Sequence, residues 1–303
     1  MRNVRVHVGT FTPSVLLALA RRRGRLAEAH LDVIESPVSS SPAQFASLES
    51  GELDVAITSP DNVIAYHYLS ANPLGRRLQL RVLAGLDRGT GLSLWLGPGL
   101  AGPAAVRGRV VGVDVATSGF AFVAYALLDA LGVTREEYQV LNLGSTPRRA
   151  GALLEGTCAA TVLNAGNELR VAARATRAGD VTSLGPYLGT VLAVTHALER
   201  TRREAAEQLS AVLVELAARV LDGSLTDEAR AVARDVLDLS EADAAAHVQV
   251  LSDPARGLIG DGRVDEPSVA TLLSLRRTYL PDRDLDSVEP DLASLLRGAA
   301  RGA

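Results

Sequence analysis

The chain has 303 residues, with 31 basic and 35 acidic side chains and a formal net charge of −4. Every basic side chain is arginine, which excludes lysine Schiff-base chemistry, lysine-anchored pyridoxal phosphate and a Walker-type phosphate loop. The scattered arginines and negative balance argue against a bulk nucleic-acid binder, and the lone Cys158 excludes a disulfide framework, a Cys-rich zinc site and an iron–sulfur cluster.

At roughly 100–200 residues per domain, the length suggests two domains. The N-terminal run Arg2–Val8 alternates apolar and polar residues, which reads as a strand rather than the apolar stretch of a secretory signal. No uninterrupted apolar run of about 18 residues is present, so no membrane insertion is expected. The expected location is cytoplasmic as written, and periplasmic or extracellular only if a leader has been removed.

In chain order, Val4–Gly9 reads as a strand, followed by a helix over Leu16–Arg23 with Thr12 as N-cap and Pro13 in its first turn. Leu31–Glu35 is a second strand, Gln44–Glu49 a short helix stopped by Gly51, Val55–Thr58 a buried strand and Val63–Leu69 a helix. The pattern then returns: strand Arg109–Asp114, helix Phe120–Leu131, strand Tyr138–Leu143, a helix ending at Leu154 and strand Ala160–Leu163. Strands separated by helices indicate parallel βαβ units, here in two similar α/β lobes. Leu80–Leu86 and Ser93–Leu96 read as strands crossing between the lobes, and Gly189–Val194 as the returning strand. Helices follow at Glu199–Leu221, Asp227–Leu237, Glu241–Leu251 and Pro267–Leu275. The segment Pro281–Pro290 reads as acidic turns, and Leu292–Ala303 as a loosely held end. The expected division is residues 1–88 plus about 190–303 for lobe one and 89–189 for lobe two, with hinges near Asp87–Thr90 and Gly185–Gly189.

Four ordered strings carry a family resemblance: Leu16–Glu35, Leu48–Asn62 (LESGELDVAITSPDN), Val106–Val123 and Leu141–Gly156. Together they resemble the type II periplasmic solute-binding fold, in its nitrate, sulfonate and pyrimidine-precursor branch of ABC-transporter substrate-binding proteins. The resemblance covers roughly residues 4–200. Arg109 stands where that branch usually has Lys, and Ala159 where it usually has the Asp that Asp54 supplies in lobe one, which puts one lobe-two cleft contact in doubt.

In open parallel sheets ligands bind beyond the carboxyl ends of strands, near helix N-termini. The candidate ligand contacts are accordingly Thr10, Phe11 and Thr12; Ser39 and Ser40; Ser59, Asp61 and Asn62; Asp114, Thr117, Ser118, Gly119 and Phe120; Ser145, Thr146 and Arg148; Asn164; and Tyr187. Each Ser or Thr serves equally well as a helix cap, and Asp61 suits a helix dipole without any ligand. Arg148 stands against the dipole of its helix, a hint of an anionic partner, whereas Arg149 reads as solvated surface. Tyr187 and Trp95 are wall candidates or inter-lobe packing. The candidate acid–base residues are His7, His67 and Asp61, and His196 follows the returning strand; His30 and His247 read as surface helix residues and Cys158 as core. No metal site and no cofactor is expected.

The resemblance implies binding of a small organic ligand in a cleft closed by hinge motion, with an ABC permease as partner if the chain is exported. The alternative is a cytosolic enzyme on the same fold, a dehydratase, decarboxylase or other lyase acting on a small organic acid. The fold's pyrimidine synthase is disfavoured, because it needs a Cys-rich motif and a lysine-bound cofactor. The hydroxyl-rich loops disfavour a highly charged ligand.

Overall fold

The computed structural model describes residues 3–282, 284, 285 and 295. The segments expected as acidic turns and a loose end lie outside the described residues, save for Pro281, Asp282, Asp284, Leu285 and Leu295.

The first lobe runs β1 (Val4–Thr10), α1 (Val15–Arg22), α2 (Arg25–Glu28), β2 (Leu31–Pro37), α3 (Ser41–Ser50), β3 (Val55–Thr58), α4 (Pro60–Tyr68) and β4 (Leu80–Asp87). The second runs β5 (Ser93–Leu96), β6 (Val110–Val113), α5 (Gly119–Ala130), β7 (Gln139–Asn142), α6 (Thr146–Leu154), β8 (Ala160–Leu163), α7 (Asn167–Val171) and β9 (Thr176–Asp180). The chain then returns through β10 (Thr190–Thr195) and ends in α8 (Arg200–Leu221), α9 (Thr226–Leu237), α10 (Glu241–Leu251) and α11 (Glu266–Tyr279). Among the described residues no helix is long and apolar enough to cross a membrane.

The two five-stranded sheets have the same plan, β2-β1-β3-β10-β4 and β7-β6-β8-β5-β9. Three strands of each are parallel, and the fourth, β10 or β5, is antiparallel to both its neighbours. That fourth strand is in each case the first one made after the chain has crossed. Registers match as well: Val8 faces Val55 as Val111 faces Ala160.

Both faces of each sheet are covered, so the central strands are near-continuous apolar runs. Val6 and Val8 of β1 and Leu209, Leu213 and Leu216 of α8 share one core, to which α9 and α10 add Val232 and Val248. A second core joins the lobes: Ile64 and Val82 from the first pack with Phe122 and Leu128 from the second and Leu272 of α11.

Three local expectations are corrected. The segments Leu80–Leu86 and Ser93–Leu96 do not cross between lobes; β4 and β5 stay within their own sheets, and the turn Gly89-Thr90-Gly91, with φ of 101°, 48° and 79°, breaks the extended path between them. The α1 cap is Ser14, whose Oγ accepts from the Leu17 N–H at 3.3 Å, and not Thr12. The Glu35 carboxylate takes the Ser14 N–H at 2.7 Å, which holds Ser14 extended and starts the helix after it. Sequence reading also missed the edge strand β9, whose Thr-Arg-Ala-Gly-Asp sequence lacks an apolar alternation.

Candidate functional site

The carboxyl ends of the parallel strands of both sheets face one cavity of about 130 Å³. A dry cavity of roughly 150 Å³ accepts benzene, so this one has room for a small organic body. Lobe one contributes Thr10, Phe11 and Thr12 after β1, and Thr58, Ser59 and Asn62 around the start of α4. Lobe two contributes Asp114, Ser118 and Phe120 around the start of α5, Thr146 and Arg149 from α6, and Asn164 after β8. Asp87, Thr90 and Thr190 line it from the crossovers, and Leu237, His247, Leu251 and Leu258 close it from the C-terminal helical region.

The lobes meet directly around this cavity. Asn167 Nδ2 of lobe two donates to Thr12 Oγ1 of lobe one at 3.3 Å, and within lobe two Asn164 Nδ2 donates to the Gly89 carbonyl beside the crossover at 3.1 Å. Beside the cavity, Arg276 of α11 donates from Nε and Nη2 to the two oxygens of Asp61, each at 2.7 Å, with both side chains 1% exposed. The same guanidinium reaches the Thr117 carbonyl at 3.4 Å and lies 5.1 Å from the centre of the Phe122 ring. Gly119 is required here, because a Cβ on it would stand 2.5 Å from Asp61 Cβ.

Eight candidate contacts, the exposed Arg148 among them, are not among the residues lining the cavity. Asp61, Thr117 and Gly119 form the arginine junction just described. Ser40 caps α3 by accepting from Ala43 N–H at 3.3 Å, and the Ser39 carbonyl packs against Gly144. Ser145 holds the N-cap position of α6 without a side-chain bond. Tyr187 is fully buried in the core joining the lobes, and Trp95 packs on Leu153 and Leu163 while its Nε1 donates to Ser93 at 2.9 Å.

Arginines 148 and 149 exchange their expected roles. Arg148 is exposed, and Arg149 is 1% exposed and lines the cavity. Its Nη1 donates to the Gly144 carbonyl at 2.6 Å, its Nη2 to Thr146 Oγ1 at 3.1 Å, and its Nε to the Val162 carbonyl at 3.4 Å. The helical stripe Thr146, Arg149, Ala150 and Leu153 is the buried face of α6, which puts residue 149 inside. His247 is corrected likewise: it is buried, lines the cavity and belongs to the stripe Ala244, His247, Val248 and Leu251. His7 and His67 are not among the residues lining this cavity. His67 Nδ1 accepts the Leu80 N–H at 3.0 Å, and the ring lies edge-on to Tyr68.

Burial sets the electrostatics. It pushes the carboxyl groups of Asp87 and Asp114 above the usual aspartate range, opposed at Asp114 by the nearby Arg149 charge and the Ser118 hydroxyl. Asp87 accepts from Gly89 N–H at 2.7 Å and from the Thr190 hydroxyl, and Asp114 accepts from the Ser118 hydroxyl. Burial lowers the pKa of Arg149 and brings His247 down to about 4, so its imidazole is neutral near pH 7. Among the described residues no group of three or more His, Cys, Asp or Glu side chains could hold a metal ion.

Asp54 proves to be no cleft residue. Its Oδ2 accepts the His7 N–H at 2.8 Å and its Oδ1 accepts from Arg202 at 2.9 Å, at the end of β3 away from the cavity. Ala159 stands in the matching register, its N–H donating to Val110 as that of Asp54 donates to His7. The missing carboxylate in lobe two therefore removes a structural anchor and no cleft contact.

Solved structures share this plan over nearly the whole chain. A Bordetella bronchiseptica protein is 19% identical, with a TM-score of 0.76, covering 97% of this chain and 94% of that one. The fold is that of the periplasmic binding proteins. The nitrate-binding protein of Synechocystis matches at 12% identity and TM-score 0.74, covering 99% of this chain and 89% of that one. The alkanesulfonate-binding protein of Xanthomonas axonopodis pv. citri, bound to MOPS, matches at 13% identity and TM-score 0.70, over 99% of this chain and 98% of that one. No family model and no curated protein sequence matches the chain.

Proposed function

We propose that this chain is the solute-binding component of an ABC importer, closing its two lobes over a small organic molecule and presenting the closed form to a permease. The observation that carries the reading is the cavity where both sheets end, with Thr12 of lobe one bonded to Asn167 of lobe two. The proposed ligand contacts are Thr10, Phe11, Thr12, Ser59, Asn62, Asp114, Ser118, Phe120, Thr146 and Asn164, joined by Asp87, Arg149 and His247. The proposed moving bodies are residues 1–88 with about 190–303 on one side, and 89–189 on the other. The crossovers near Asp87–Thr90 and Gly185–Gly189 act as hinges. Structural relatives that bind a sulfonate or nitrate support the class of function.

A library of small organic solutes screened by thermal denaturation tests this. A matched solute raises the melting temperature by linkage and is recovered unchanged by mass spectrometry. Turnover of the solute overturns the reading in favour of an enzyme, and a library without any stabilising member overturns it altogether. The proposal also requires the chain outside the cytoplasmic membrane, which fractionation of the source cells reports.

A further inference from the structure

We propose that the occupant of the cleft is a small organic cation, an amine carried on an apolar body, rather than an oxyanion. The proposal rests on the solute-binding function just given and names the chemistry that the site selects. Helix N-termini are where such a fold would hold an anion, and three of those beside this cavity are already answered by carboxylates of the chain. Glu35 takes the N–H of the α1 cap residue Ser14, Asp61 lies in the first turn of α4, and Asp114 is bonded to the α5 cap residue Ser118.

The helix α6 begins without a carboxylate and carries Arg149, the one arginine among the described residues lining the cavity. Its guanidinium, however, is turned onto the Gly144 and Val162 carbonyls and the Thr146 hydroxyl. An oxyanion would thus meet two aspartates and a cation with four of its five N–H donors directed at protein oxygens. An ammonium group, by contrast, meets acceptors. Asp87 and Asp114 are 7% and 8% exposed and line the cavity from the crossover and from lobe two. His247, 1% exposed, lines the same cavity and is held neutral by burial, so it sets no positive charge against an ammonium group. Phe11, Phe120, Leu86 and Leu251 supply the apolar walls.

The test is a charge series on one body: benzylamine, benzyl alcohol and benzenesulfonate, with nitrate alongside, titrated calorimetrically into the full chain at pH 7. The expected result is benzylamine binding about tenfold or more tighter than benzyl alcohol, the increment of a charge-assisted hydrogen bond. The sulfonate and nitrate are expected to bind weaker still. Asp114→Asn should remove most of the advantage of benzylamine over benzyl alcohol, read as the ratio of the two affinities. Equal or tighter binding of benzenesulfonate or nitrate overturns the proposal and leaves the solute-binding reading standing. Silence of the whole series overturns it too, with the solute library deciding the broader reading separately. The wild-type series decides the outcome even if the variant fails to fold.

Discussion

The two lobes share one strand plan and one register, yet they spend their charged residues differently. At the end of β3, lobe one places Asp61 in the first turn of α4 and cancels it with Arg276 from α11. Lobe two keeps Arg149 inside with no carboxylate within salt-bridge distance among the described residues, and satisfies it on carbonyls and a hydroxyl. At the same number of residues beyond its strand, lobe one buries Val63 where lobe two buries Glu168. At the other end of the strands, Asp54 anchors lobe one and Ala159 leaves lobe two without that tie. Shared topology thus fixes where the cavity lies, and unshared charges decide what it can hold.

The strongest way to break this comparison is at the two buried arginines. Arg276→Ala strands the Asp61 carboxylate in the interior and should cost about 3–5 kcal/mol by urea denaturation. Arg149→Met leaves neutral carbonyls instead and should cost about 1–3 kcal/mol. Equal losses would erase the distinction drawn between the lobes.

The next effect is a pH slope set by the Glu168 carboxyl, the residue that lobe two buries where lobe one has Val63. Burial raises the Glu168 carboxyl to about 8, above its value of about 4.5 in an unfolded chain, so the folded state holds its proton more tightly. Its contribution is full below about pH 4.5 and is lost as pH rises toward about 8, with a slope of at most about 1.4 kcal/mol per pH unit. Glu168→Gln should therefore stabilise the protein more at pH 8 than at pH 5 in chemical denaturation. His247 works in the opposite direction: its folded pKa of about 4 lies below the ordinary 6.5, so stability falls as pH drops through that interval.

At the strand anchors, Asp54→Ala should cost about 1–3 kcal/mol through the orphaned His7 N–H, while Ala159→Asp gains no ligand affinity by calorimetry. An affinity gain in the latter would return that position to the cleft. The smallest expected effect is at the contact between Thr12 and Asn167. Thr12→Val removes the bond to Asn167 and should weaken a bound solute by about two- to tenfold, read as a faster off-rate. An unchanged off-rate would mean that this bridge does not hold the closed form.

Much of the fold was legible locally. Val6 and Val8 announce β1 by alternation, Gly51 stops α3 in a left-handed cap, and the ordered strings of the two lobes point to their shared plan. The site was legible only in part. Loops after parallel strands were identified from periodicity, and ten of the candidates in them line the cavity. The misplaced residues have a common cause. Arg149, His247 and Arg276 each occupy a slot in an apolar stripe at helical spacing: Thr146-Arg149-Ala150-Leu153, Ala244-His247-Val248-Leu251 and Val269-Leu272-Leu273-Arg276. Reading these residues by type sent two of them to the surface, whereas reading them by face would have put all three inside.

The sequence by itself determined what depends on neighbours a few residues apart: strand and helix order, the Gly51 stop of α3 and the repetition of one lobe plan. It also determined what cannot occur, since a chain without lysine offers arginine as its permanent side-chain cation. Only the tertiary structure decided the pairing of Asp61 with Arg276, which lie far apart in sequence, and the roof that α9 and α10 place over the cavity. Periodicity specifies which face of a helix is buried but not what it meets. The partner of a buried charge is chosen when the lobes and the C-terminal helices pack together.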